Sequence, residues 1–129
     1  MLAQLECLAA ESGADFVGPI LPALKAINER MRRAKTAGAA HRLDVEWHET
    51  LTGVARNARL QSMMKNLRLE ISRFERAYMS EADLIDGSAR QHDQIVKSLS
   101  SRRIDEAMSG LRENYLLSMR VLLRAMGES

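Results

Sequence analysis

At 129 residues the chain is long enough for one domain with a substantial core, and its 46% apolar and 28% charged residues exclude a disordered polymer. Nineteen basic residues are interspersed among seventeen acidic ones for a net charge of +2, with only five aromatics, which excludes the one-sided basic, base-stacking surface of a nucleic-acid module. No apolar run approaches the ~20 residues of a membrane helix, and the opening MLAQLECLAAESGAD lacks a signal-peptide pattern, so a cytoplasmic location away from the membrane is expected.

Leu and Ala contribute seventeen residues each against fourteen Val, Ile and Thr combined, and no segment alternates for long, so the expected class is all-α. A first helix is predicted over about Leu2–Ser12, ended by Gly13, with the lone Cys7 as a buried small hydrophobe. The second carries Pro19 and Pro22 early, where proline is tolerated, and runs to about Ala37 with Gly38 as its C-cap. A third spans about Ala39–Arg56 with Leu43, Trp47, Leu51 and Val54 on one stripe, and Asn57 is a helix end or turn residue. The fourth covers about Ala58–Ser80, with Leu60, Met64, Leu67, Ile71, Phe74 and Tyr78 at helical spacing. Asp86-Gly87-Ser88 reads as a turn with an N-cap, followed by a fifth helix to about Leu99. After Ser100-Ser101 a sixth helix carries Ile104, Met108, Leu111, Tyr115, Leu122 and Met126. Gly53 and Gly110, inside helices, suggest close packing. The architecture is a single domain over 1–129, an antiparallel bundle of about six helices joined by short loops.

Certain polar residues fall on the apolar stripes. Asp44 and His48, four apart, project from one face beside Leu43, Trp47 and Leu51. His92 precedes Ile95 and Leu99 by three and seven residues, and Asn114 follows Leu111 and Ala107 by the same steps. Burying such groups is costly without partners, so three helices are expected to share a polar pocket. Carboxylate and imidazole are common ligands for zinc, nickel, manganese or iron. On spacing alone the signal for a ligand set is weak, and the plainer reading is a satisfied helix-surface Asp–His pair plus a core histidine hydrogen-bonded to a backbone group. His41 is expected to be exposed near a helix start and outside the site.

The segments LDVEWHETL (43–51) and ARNARL (55–60) resemble the D-x-x-F-H-x-x-L … A-x-N-x-x-L pattern of the FCD domain, the effector-binding half of FadR-type regulators in the GntR family. QHDQIVKSL (91–99) resembles its E-H-x-x-I-x-x-A-L segment, Glu106–Leu116 its terminal helix, and LECLAA (5–10) its opening helix. The matches follow in order along nearly the whole chain, with 43 residues between His48 and His92.

This resemblance implies a helical bundle that binds a small carboxylic or sugar acid, in many members through a divalent metal held by one Asp and three His. Asp44, His48 and His92 match three of those ligands, and Asn114 stands where the last His is expected. A neutral amide oxygen is a poorer ligand than imidazole, so two readings stay open: a weaker zinc, nickel or manganese site, or the same four groups hydrogen-bonding an organic effector directly. Arg68 and Arg73 are candidate cations for an acidic effector, beside the alternative of solvated surface positions. Asn57 and Asn114 are candidate effector contacts, Asn57 with helix capping as its alternative. Such regulators carry a winged helix-turn-helix without a counterpart in these residues, so DNA is expected to be reached only through an attached domain, in a homodimer. No catalysis is expected. Two competing classes are a metal-dependent hydrolase, for which Glu46 and Glu49 supply no suitably placed base, and an inert dimerising bundle.

Overall fold

Leu2, Glu6, Ala9 and Ala10 recur at three- and four-residue steps, and helix α1 (Leu2–Ser12) buries all four on one side. The computed structural model describes residues 1–78 and 81–128, with the side chains of 1–75, 87–124 and 126–127. After α1 come α2 (Leu21–Arg32), α3 (Ala37–Thr52), α4 (Ala58–Tyr78), α5 (Glu81–Ser100) and α6 (Ile104–Glu128). Single 3-10 turns at Ala14–Phe16, Gly18–Ile20 and Gly53–Ala55 complete an all-α bundle with no strand among the described residues. None of its described helices is long and apolar enough to cross a membrane.

The main core lies where α1, α2, α3, α5 and α6 converge: Cys7, Leu24, Ile27, Trp47, Leu51, Ile95, Leu99 and Leu111 are all buried in one cluster. A second cluster around Leu2, Ala9 and Met64 seats α4 against α1, with Leu67, Ile71 and Tyr115 packed on it. Two glycines permit close approach. A Cβ on Gly13 would stand 2.5 Å from the Val54 backbone, and one on Gly110 would stand 3.0 Å from Ile95. Gly53 differs from expectation: it caps α3, and a Cβ there would meet nothing.

Several boundaries depart from the sequence pattern for local reasons. The second helix stops at Arg32 and not near Ala37, because Thr36 takes an extended conformation and its Oγ1 accepts the Ala39 N–H at 3.1 Å. Gly38 therefore sits in the first turn of α3 and is no C-cap. Pro19 belongs to a separate 3-10 turn, and Pro22 to the first turn of α2. The Asp86-Gly87-Ser88 segment is not a turn: α5 runs straight through it. Ser88 is buried, and a Cβ on Gly87 would approach Leu117 Cδ2 to 2.6 Å, so glycine there answers helix packing. Phe74, expected on the inner stripe of α4, is 49% exposed, and Met126 is partly exposed as well. The rest of the described stripe holds, with Met64 buried and Leu60, Leu67 and Ile71 packed on the second cluster, and the inner face of α4 adds buried Arg68, Ser72 and Glu75 at i+4, i+8 and i+11 from Met64. The fourth helix is described to Tyr78; the expected end at Ser80 and the Tyr78 side chain lie outside the described residues.

Candidate ligand and metal site

Helix α3 is two-faced. Trp47 and Leu51 fill the core, and one step round the helix Asp44 and His48 meet His92 from α5. Asp44 Oδ1 lies 3.0 Å from His92 Nε2 and 3.6 Å from His48 Nε2. One ligand atom from each of the three residues falls within 4.8 Å of the others. Trp47 holds the group rigidly: its indole stacks on His92 at 3.8 Å between centroids, and meets His48 edge-on at 5.0 Å.

The outer nitrogens settle how the imidazoles present themselves. His48 Nδ1 is 2.7 Å from Glu6 Oε1, and His92 Nδ1 is 3.1 Å from Asn28 Oδ1. Both partners are oxygen acceptors, so both Nδ1 atoms carry the proton and Nε2 faces Asp44. A further layer holds those partners. Arg68 donates from Nε and Nη2 to Glu6 Oε2 at 3.1 and 3.0 Å, and from Nη2 to Thr52 Oγ1 at 3.2 Å. Asn28 Nδ2 donates to Ala89 O and Asp93 Oδ1, and Arg32 pairs with the far oxygen of Asp93.

Two inner atoms are buried without a hydrogen bond of acceptable geometry, Asp44 Oδ1 and His92 Nε2, despite their 3.0 Å separation. They converge on a shared point without serving each other. Stranded buried polar atoms are costly, and a carboxylate with two Nε2-presenting imidazoles is a donor set suited to a divalent cation. The residues present therefore fit a metal.

The electrostatics describe the same set without an ion. Burial opposes charge on His48, but Glu6 and Asp44 outweigh it and raise its pKa to about 10. Burial likewise opposes the Asp44 carboxylate, yet His48 and His92 bring it well below the usual range. Glu6 is lowered too, its burial outweighed by His48 and Arg68. For His92 burial wins over the pull of Asp44, and its pKa falls.

A cavity of about 50 Å³ opens beside these groups, lined among others by Glu6, Asp44, His48, Arg68, Asn114 and Tyr115. That is room for about three or four water molecules. Asn114, on α6, is buried and donates Nδ2 to Gln91 Oε1 at 2.8 Å, which marks its other end as the acceptor. Across the cavity, His41 Nε2 lies 2.7 Å from Ser72 Oγ, and His41 Nδ1 lies 3.1 Å from Glu75 Oε2.

The family model described as the FCD domain matches residues 1–115. The chain belongs to the FCD domain family. No curated protein and no solved structure matches it significantly. An FCD domain is a regulatory, ligand-binding domain of the GntR type of transcription regulator, as the resemblance of the Asp44–His48 and His92 segments implied.

Within this FCD domain the candidate residues separate by position. Asp44, His48 and His92 come together, and Asn114 lines the cavity together with Asp44 and His48. Arg68 is 7% exposed and also lines it, where a solvated position had been the alternative. Arg73 is exposed and outside the cavity, since it follows buried Ser72 by one residue and turns away with Phe74. Asn57 is exposed and caps α4, its Oδ1 accepting the Leu60 N–H at 3.0 Å. His41, expected on the surface, is buried at 8% exposure. It precedes Asp44 by three and His48 by seven on α3, and this face puts it against Ser72 of α4. Tyr115, on the expected inner stripe of the sixth helix, also lines the cavity, as do Glu6, Ser72 and Glu75, which were not singled out from sequence. A signal existed for these three: Glu6 follows Leu2 by four, and Ser72 and Glu75 follow Met64 at helical spacing.

Proposed function

We propose that this FCD domain senses a small carboxylic or sugar acid, bound in the cavity beside Asp44, His48 and His92 through a divalent metal such as zinc, nickel or manganese. The observation that carries the reading is the convergence of Asp44 Oδ1 and His92 Nε2, both buried and without a hydrogen bond, on His48. Asp44, His48 and His92 would hold the ion, with Asn114 offering a neutral oxygen as a further, weaker ligand. A bound cation supplies a positive centre for an acid's carboxylate. Glu6 and Asn28 keep Nε2 of each imidazole turned inward. Arg68 is already committed to Glu6 through Nε and Nη2, which leaves Nη1 as the edge available to a ligand oxygen.

The chain is read as working in the cytoplasm, as a homodimer, and as acting on DNA only through an attached DNA-binding domain whose placement effector binding biases. Exposed Leu116 and Leu123, seven apart on α6, support a surface that a second copy covers. Metal analysis of purified protein tests the central point. About one divalent ion per chain is expected, lost in His92→Ala with the helical circular dichroism retained. Asn114→His is expected to tighten metal binding. A protein that takes up no added zinc, nickel or manganese overturns the metal reading.

A further inference from the structure

The inner cavity is small for an effector. At about 50 Å³ it admits little beyond a carboxylate head and its nearest carbon atoms. On the other side of His41, Arg68 and Ser72, which line both spaces, lies a groove of about 350 Å³. Its walls are one stripe of α3 (His41, Val45 and Glu49, four apart, with Arg42) and one of α4 (Lys65, Arg68, Leu69 and Ser72). Val45 and Leu69 give it an apolar middle, and Leu69 is 52% exposed although it is a large aliphatic residue. The fixed charges are Arg42, Lys65 and Arg68 against the single carboxylate of Glu49. Arg68 is neutralised by Glu6, whereas Arg42 and Lys65 form no ion pair among the described residues.

Resting on the reading above, we propose that the α3–α4 groove receives the body of the effector, and that this body ends in a second anionic group recognised by Arg42 or Lys65. The effector class is thus an elongated dianion, either a dicarboxylate or a phosphate-bearing acid. Its first carboxylate reaches the inner cavity between the α3 and α4 side chains that line both spaces, displacing the His41–Ser72 hydrogen bond, its carbon chain lies on Val45 and Leu69, and its far end meets a cation. From Lys65 to Ser72 the groove follows α4 for about 10 Å, the span of a chain of several carbons. A monocarboxylate would fill the inner cavity and leave the basic ends unused. Arg42 and Lys65 then act as specificity determinants separate from the residues that hold the first carboxylate.

The experiment is calorimetric titration of the zinc-loaded full chain with the dicarboxylates from malonate to pimelate, the monocarboxylates of equal length, and 3-phosphonopropionate. At a matched length, the dianion is expected to bind about three- to fivefold tighter than its monocarboxylate. In Arg42→Ala/Lys65→Ala that preference should fall to near unity, with zinc binding and monocarboxylate affinity unchanged. The single variants show which end is used, and the phosphonate shows which anion is preferred. Equal affinity of both series at every length, or a preference that survives the double variant, overturns this proposal and leaves the acid-sensing reading standing. Binding of zinc with no acid of any series overturns both.

Discussion

His48 carries the clearest consequence at the scale of single residues. Without a metal its imidazolium lies between Glu6 and Asp44, with its pKa raised to about 10. A raised folded-state value contributes stability that is fully present below the unfolded value and is lost as pH climbs through the folded one. Glu6, Asp44 and His92 are lowered, so their contributions appear above their ordinary values and vanish toward acid. Protein stripped with chelator should therefore be most stable near pH 6–7, and its melting temperature should decline from pH 7 to 9. Metal ligation needs the unprotonated Nε2, so zinc affinity should rise over the same interval. Thermal melts at pH 6, 7.5 and 9, with chelator and with zinc, check both slopes. A chelated protein that gains stability toward pH 9 would contradict the pairing of His48 with the two carboxylates. The candidate ligands were legible because Asp44, His48, His92 and Asn114 sit at helical spacing from long apolar residues. His41 shares that face, three before Asp44 and seven before His48, but its place beside the expected helix start hid it; α3 begins at Ala37, which sets His41 in the second turn against Ser72.

Among the elements, chain order and type were legible throughout, whereas several boundaries were not. A 3.6-residue pattern reports which face is buried and says little about where a cap ends it. Thr36 outcompetes Gly38 because a side-chain oxygen can satisfy an orphan N–H of α3, and Gly87 resembles a turn residue although its role is contact with Leu117. The α5–α6 corner shows the cap logic in a non-glycine residue. Arg103 N–H reaches Ser98 O at 2.8 Å and Arg102 N–H reaches Leu99 O at 3.0 Å, a Schellman pairing with Arg102 at φ 59°. A left-handed arginine costs on the order of 1 kcal/mol that glycine does not incur, partly offset by glycine's larger unfolded entropy. Among the described residues the Arg102 side chain pairs only with exposed Asp15, at 3.4 Å, and such pairs contribute little. Arg102→Gly is thus expected to stabilise the domain by about 0.5 kcal/mol, read as a higher urea midpoint at unchanged m-value. A lower midpoint would mean that the arginine side chain outweighs its backbone strain.

For the molecule as a whole, the site joins parts of the bundle that are distant in sequence. Asp44 and His48 come from α3, His92 from α5 and Asn114 from α6, while Glu6 and Arg68 tie α1 and α4 to the same cluster. No such constellation exists in the unfolded chain, so an ion held there binds the folded state and stabilises it by mass action. At a free metal concentration of about a hundred times the Kd, the gain is roughly 2.7 kcal/mol. For a domain of this size that corresponds to a rise of about 10 °C in melting temperature. Adding zinc to chelated protein at pH 7.5 is expected to produce a shift of this order, and His92→Ala should abolish it. The variant also loses the stack on Trp47 and will begin from a lower melting temperature. The decisive quantity is therefore the zinc-induced shift within each protein and not the difference between them. An equal shift in both proteins would place the ion elsewhere. A shift confined to the parent would tie folding stability to the two helices, α3 and α5, that Asp44, His48 and His92 bring together, the connection through which a bound effector is felt across the bundle.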